Sequence, residues 1–254
     1  MNGHWFTFHA RRELTVMSEA DRRVAIITGG SQGIGAGLVA GYRKQGWAVV
    51  TSARTIKPAE EPDLLTVSGD IAEPATADRI VEAALGRFGR IDTLINNAGV
   101  FLSKPFTQYT AEDYARLVGV NLTGFFWLTQ RVIADMVRRY GGHVVNISAS
   151  LAEVANADAP AALAALTKGG LAAATRSLAV EYASRGIRVN AVSPGIIQTP
   201  VYPAESYEGL GRQLPPLGHV GHVSDVVNGI LFLESSPYIT GEILHIDGGQ
   251  TAGH

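Results

Sequence analysis

The stretch Val24–Gly35 reads VAIITGGSQGIG. An apolar run, Val24, Ala25, Ile26 and Ile27, leads through Thr28 into a turn carrying Gly29, Gly30, Gly33 and Gly35. Beyond the turn, GAGLVAGYRKQG places its apolar residues at helical rather than alternating spacing. Strand, glycine turn and helix in that order form the opening unit of a dinucleotide-binding fold. The glycines divide the work: one permits the tight turn, one lets backbone approach a pyrophosphate, and one lets helix pack closely on strand. Phosphates then lie at the helix N-terminus, where unpaired N–H groups and the helix dipole favour negative charge.

The rest of the composition suits such a fold. The 254 residues allow one large α/β domain or two small ones. Hydrophobic residues at 46% against 17% charged fit a buried core, not a disordered chain. With a net charge of −2 and no basic block, nothing points to nucleic acid or a membrane surface. The chain has no cysteine, which excludes disulfides and thiolate chemistry. No apolar run approaches the ~18–20 residues of a membrane span. A cytoplasmic protein acting on a small molecule, with no metal site, is the expectation.

The opening MNGHWFTFHARRELTVMSEA differs in character from the remainder of the chain. It lacks the continuous apolar segment and small-residue cleavage site of a signal peptide, and Glu13 argues against a transit peptide. Met17 opens MSEADRRVAIITGG, a more ordinary start. Residues 1–22 are therefore read as a mobile extension and 23–254 as a single dinucleotide-binding domain.

In order along the chain, Trp47–Ala53 reads as the second strand. An Asp or Glu at its end would bind the adenosine ribose of NAD and repel a 2′-phosphate. Here the strand ends Ser52-Ala53-Arg54, with no acid until Glu60. Arg54 is placed to grip a 2′-phosphate bidentately, so NADP(H) is preferred over NAD(H). Ser31 and Gln32 in the glycine turn add no second positive charge. Leu64–Ser68 is the third strand, ending at Gly69-Asp70-Ile71; Asp70 there suits an adenine amino group or a turn cap equally. Pro74 starts a helix through Arg87. Ile91–Ile95 is the next strand and runs into Asn96-Asn97-Ala98-Gly99, at the strand end where open α/β sheets bind ligands.

The glycine turn, Asp92-x-Leu94-Ile95-Asn96-Asn97-Ala98-Gly99 and Arg188-Val189-Asn190-Ala191-Val192-Ser193-Pro194-Gly195 together resemble the short-chain dehydrogenase/reductase family, over about Arg23 to the C-terminus. The resemblance implies a Rossmann-like, doubly wound parallel sheet of seven strands with helices on both faces, in a single domain. It implies cofactor contacts from Gly29, Ser31, Gln32, Gly33, Ile34, Gly35, Asp70, Ile71, Asn97, Ala98 and Gly99. It further implies that the Pro194-Gly195 turn covers the nicotinamide, with Ile197 and Thr199 facing the ring and its carboxamide. Asn121, in Val120-Asn121-Leu122-Thr123-Gly124 at the head of a long helix through Tyr140, would hold a water in a proton relay, or serve as a plain N-cap. Val201–Pro216 would be the substrate lid. The helices Asn121–Tyr140 and Pro160–Arg185 would pair across subunits in a homo-oligomer, a tetramer or dimer.

One part of the pattern breaks. The family's chemistry runs on a Ser, a Tyr and a Lys, the last two as Tyr-x-x-x-Lys on one helix face. Lys168 is in place within Thr-Lys-Gly-Gly, where it would hold the cofactor ribose, but four residues earlier stands Ala164. No tyrosine occurs between Tyr140 and Tyr182. The usual serine falls near Ala149, flanked by Ser148 and Ser150; Ser150 is the preferred candidate, and both also read as ordinary turn residues. This leaves three readings: an NADP(H)-dependent oxidoreductase whose proton comes from Tyr202, Tyr207, a water relayed through Asn121 and Lys168, or the substrate; a nucleotide-binding protein with little or no activity; or reduction of an activated C=C or C=N bond that needs no phenol.

Overall fold

A computed structural model describes residues 22–200, 206–213 and 215–253. The extension expected over 1–22 lies, except for Arg22, outside the described residues. β1 (Val24–Thr28) is buried along its whole length, as a strand covered on both faces requires. Its side chains alternate between two cores. Ala25 and Ile27 meet Leu38 and Tyr42 of α1 (Gly33–Lys44) and Val226, Ile230 and Leu233 of α7 (Val223–Ser235). Ile26 faces the other way, onto Ile80 and Ala84 of α2 (Pro74–Phe88) and Leu128, Val132 and Met136 of α4 (Gly124–Arg139). Each such aliphatic side chain contributes about 1.5–3 kcal/mol on burial, so both helical layers are held to the sheet by the strand's period of two.

The sheet order is β10-β7-β6-β5-β1-β2-β4-β3. The further strands are β2 (Ala48–Ala53), β3 (Glu60–Glu61), β4 (Leu64–Ser68), β5 (Thr93–Asn96), β6 (Gly142–Ile147), β7 (Ile187–Pro194) and β10 (Ile243–Ile246). Seven strands run parallel, as expected; the eighth, β3, is a two-residue antiparallel edge on β4. β1 pairs with both β2 and β5, so the winding reverses there and a crevice opens beyond the strand ends.

Two other expectations need correction. The long helix is not one element headed by Asn121. α3 (Ala111–Val118), closed by a Thr110–Asp113 capping box, runs through a π-turn at Gly119–Thr123 straight into α4. Asn121 therefore sits inside a continuous helical run, not at an N-cap. α5 spans Ala162–Tyr182 and begins two residues later than Pro160, while a 3-10 turn at Ala183–Arg185 carries the helical run on to Arg185 as expected. The segment read as a lid carries α6 (Ser206–Gln213), while β8 (Ile197–Gln198) and β9 (Gly221–His222) make a separate two-stranded sheet; residues 201–205 and 214 of that segment lie outside the described residues.

At the opposite edge, below the N-terminal ends of the strands, lies a buried charged network. Glu234 Oε2 accepts from Tyr42 Oη (3.0 Å), Thr93 Oγ1 (2.8 Å) and His143 Nδ1 (3.1 Å). Asn190 Nδ2 (3.1 Å) and Arg188 Nη1 (3.4 Å) can only donate, so His143 Nε2 accepts and its proton sits on Nδ1. Burial pushes the His143 imidazole below its usual pKa. Burial pushes the Glu234 carboxyl up, but the hydrogen bonds from His143, Thr93 and Tyr42 outweigh it and hold the group below the carboxylate range.

Candidate functional site

Thr28 closes β1, and its hydroxyl accepts the main-chain N–H groups of Asn97 (3.0 Å) and Ala98 (2.9 Å) just past β5. Asn97 Nδ2 donates back to the Thr28 carbonyl at 2.8 Å. The tips of the two strands flanking the reversal are thus stitched together, and the glycine turn is seated on the seam. The fit there excludes side chains: a β-carbon on Gly35 would lie 2.1 Å from the Gly29 carbonyl oxygen and 2.7 Å from Asn97 Nδ2. Sequence reasoning misses Thr28 as a site residue; its position directly before the glycine turn is the only signal the chain carries for it.

Above the seam lies a crevice of about 710 Å³. Gly29, Ser31, Gln32, Gly33, Ile34, Gly35, Arg54, Asp70, Ile71, Asn97, Ala98, Gly99 and Thr199 all line it, with Thr55, Val100 and Val120, which sequence reasoning missed. Arg54 is exposed at the end of β2. Asp70 also caps its own turn, accepting the Ala72 N–H at 3.0 Å, so the turn role read for it is present in the fold. Asn121, Ser150, Lys168, Pro194, Gly195 and Ile197 are not part of these walls. Gly195 instead packs under the C-terminal segment, its N–H on the Ile246 carbonyl at 3.0 Å.

A cation lies next to the crevice wall at Gly99. Lys168 on α5 donates from Nζ to the Ile147 carbonyl at the end of β6 (2.7 Å). A β-carbon on Gly99 would stand 2.9 Å from that Nζ and 3.5 Å from Asn121 Oδ1, so glycine is what lets the crevice wall approach the ammonium. Burial lowers the Lys168 pKa to about 8. Asn121 is 2% exposed. Its Oδ1 accepts from Val100 N (2.8 Å), and its Nδ2 donates to Val100 O (3.0 Å) and Thr167 Oγ1 (3.0 Å). The amide thus pins the loop after Gly99 to α5 next to Lys168. A π-turn supplies that placement, and such turns recur at functional sites.

The hydroxyl groups of Ser148, Ser150, Tyr109 and Tyr207 already have acceptors. Ser148 Oγ donates to the Lys168 carbonyl (3.1 Å) and Ser150 Oγ to Gln250 Oε1 (3.1 Å). Tyr109 Oη donates to Leu102 O (2.9 Å). Tyr207 Oη donates to Thr199 O (2.8 Å) and accepts from Thr199 N (3.1 Å). Tyr202 lies outside the described residues. Ala164, one turn before Lys168, is 1% exposed and packs with Leu117 and Leu163, ringed by Val100, Leu102, Tyr109 and Leu151. The Gln250 contact with Ser150 spans a hundred residues of sequence and no local pattern announces it.

A family model described as enoyl-(acyl carrier protein) reductase matches residues 29–251. The chain belongs to the short-chain dehydrogenase/reductase family. Its relatives in that family are oxidoreductases by name. The chain is 33% identical over 246 residues to 3beta-hydroxysteroid dehydrogenase 1 of Eggerthella lenta, covering 90% of this chain and 94% of that one. It is 32% identical over 239 residues to the 3-oxoacyl-(acyl-carrier-protein) reductase FabG of Escherichia coli, covering 90% and 97%. Among solved structures it resembles ElxO with NADP bound, at a TM-score of 0.85 and 28% identity over 91% of this chain and 100% of that one. It also resembles the 3-ketoacyl-(acyl-carrier-protein) reductase of Brucella melitensis complexed with NADH, at a TM-score of 0.81 and 31% identity over 90% and 98%. This short-chain dehydrogenase/reductase has a crevice at its sheet reversal, and no helix among the described residues is long and apolar enough to cross a membrane.

Proposed function

We propose that this chain is an NADP(H)-dependent oxidoreductase in which Lys168, not a tyrosine, delivers the proton. The observation that supports the reading is the approach of Lys168 Nζ and Asn121 Oδ1 to Gly99, a residue of the crevice wall that begins at the glycine turn. The crevice volume falls within the range of about 300–1,000 Å³ usual for cofactor and small-molecule clefts. Gly29 to Gly35 would hold the pyrophosphate at the start of α1, Arg54 the 2′-phosphate, and Asp70 with Ile71 the adenine side. Lys168 and Asn97 would hold the nicotinamide ribose. The reduced nicotinamide supplies a hydride when bound.

The chain's own part is the proton. Lys168 has three N–H donors, and Ile147 takes one. The remaining two would serve a ligand that reaches the ammonium beside Gly99, with a pKa in the working range for a general acid. Asn121 acts by position, locking Val100 and Thr167 around the ammonium. Ser148 and Ser150 stay with their protein acceptors, and Ala164 takes the place of the family's phenol. A substrate whose product anion is already stabilised, such as an activated C=C or C=N bond or a reactive carbonyl, asks least of such a site. The subunits would assemble as a homo-oligomer through α4 and α5.

NADPH and NADH consumption against aldehydes, ketones, enones and imines tests this reading, alongside titration of both nucleotides by their fluorescence. Turnover with NADPH that disappears in Lys168→Met is the expected result. Tight NADPH binding with no turnover on any class would make the chain a nucleotide-binding protein instead. No binding of either nucleotide would overturn the reading altogether.

A further inference from the structure

Tyr207 is 4% exposed although it stands on a short helix at the protein's rim. Its hydroxyl serves one residue twice, accepting the Thr199 N–H and donating to the Thr199 carbonyl. Thr199 needs that service. The ladder between β8 and β9 stops at Gln198 opposite His222, and Pro200, next in the chain, has no N–H to offer. The phenol therefore stands in for a strand neighbour, satisfying both polar groups of a main-chain unit that the sheet leaves behind.

The other side of Thr199 faces the crevice. Its γ-methyl lies 3.4 Å from where a β-carbon on Gly33 would be, and Gly33, at a φ of +56°, is the first residue of α1. Thr199 thus forms the wall opposite the turn at the helix N-terminus, and the width between them is set by where Thr199's main chain is held. We propose that Tyr207 is a positioning residue for nucleotide binding: through its two hydrogen bonds to Thr199 it fixes the gap between that residue and the Gly33 turn. This rests on the cofactor reading above but assigns the site a residue from α6 that touches no ligand. It also gives Tyr207 a task other than proton transfer, since its hydroxyl hydrogen is directed at the Thr199 carbonyl.

The test is a double-mutant cycle on NADPH affinity, read by fluorescence titration with melting temperatures measured in parallel. Tyr207→Phe keeps the ring and removes both bonds. The NADPH Kd is expected to rise about five- to tenfold, the scale of a lost hydrogen-bonding pair. Thr199→Ala is expected to weaken binding too, and the double variant to be no weaker than Thr199→Ala alone, because one residue acts through the other. Tyr207→Trp retains a donor but no acceptor and is expected to fall between wild type and Tyr207→Phe; it carries the test if Tyr207→Phe does not fold. A lower melting temperature with an unchanged Kd would overturn the proposal, as would additive effects in the cycle. Failure of the unaltered chain to bind NADPH or NADH would overturn the cofactor reading and this inference with it, whereas wild-type binding with unaltered variants overturns this inference alone.

Discussion

The Lys168 ammonium donates to the Ile147 carbonyl at 2.7 Å, which ties the side chain of one helix residue to the end of the neighbouring strand β6. That anchor fixes the nitrogen beside Gly99 and limits the water around it, and burial brings its pKa down to about 8. If the ammonium is the acid in reduction, the competent form is the protonated one, which is lost as pH rises through about 8. The rate of NADPH-dependent reduction, followed as kcat/KM between about pH 6.5 and 9.5, should be level below that pH and drop about tenfold per unit above it. A flat profile would move the proton donor elsewhere.

Arg54 stands at the mouth of the crevice where β2 ends, and the acid that would bind an unphosphorylated ribose is missing there. A guanidinium on a phosphate is a charge-assisted, bidentate contact worth about 1.5–3 kcal/mol. Arg54→Ala should therefore weaken NADPH binding by about 10- to 100-fold and leave NADH nearly unchanged. Equal losses for both nucleotides would mean that Arg54 supports the turn and does not read the phosphate.

How much of this was legible in the chain differs by element. β1, the glycine turn and α1 declare themselves because one period switches to another within a dozen residues, which locates the crevice wall from Gly29 to Gly35; the wall from Asn97 to Gly99 is legible from the Asn96-Asn97-Ala98-Gly99 strand end and the family resemblance. The parallel strands read as apolar runs because both faces are covered. Two-residue β3 has no pattern of its own and exists only by pairing with β4. The Gly119–Thr123 π-turn escaped because helical spacing on either side is continuous, and nothing local marks the one extra residue per turn. Most of what sets the site's hydroxyls was invisible for another reason: Ser150 with Gln250, and Asn121 with Thr167, are partners across long stretches of sequence. Sequence named candidate donors by residue type, whereas which acceptor each one reaches is decided by packing.

Ala164 lies on the face of α5 that carries Lys168, but its surroundings are not open space. Ala164 shares a buried cluster with Leu117 and Leu163, against which Val100, Leu102, Tyr109 and Leu151 pack. A phenol placed there by Ala164→Tyr must displace some of them, and overpacking of that kind costs about 1–3 kcal/mol. We expect the variant to unfold at lower urea concentration and to gain reduction of simple ketones by about 10²-fold, the contribution of a positioned general acid. Loss of stability without any gain would show that the apolar cluster holds the phenol away from Lys168.

The network around Glu234 sets how the fold responds to acid. His143 is 2% exposed and neutral, with its Nδ1 proton on Glu234 and its Nε2 already accepting from Asn190 and Arg188, so the folded state has no place for a second proton. Its folded pKa lies below the unfolded value of about 6.5. The unfolded chain therefore binds more protons as pH falls below that value, and stability present above it is lost on acidification. Glu234, also depressed, adds a second loss below about pH 4.5, when its carboxylate must be protonated. Urea midpoints should accordingly be steady between about pH 7 and 8 and fall between about pH 6.5 and 4. Glu234→Gln removes the charge but leaves Tyr42, Thr93 and His143 crowded on a neutral amide in a buried site, and should cost about 1.5–3 kcal/mol at neutral pH. A variant as stable as wild type there, or an acid profile with no slope through the imidazole range, would mean that the network is hydrated and that His143 titrates freely in the fold.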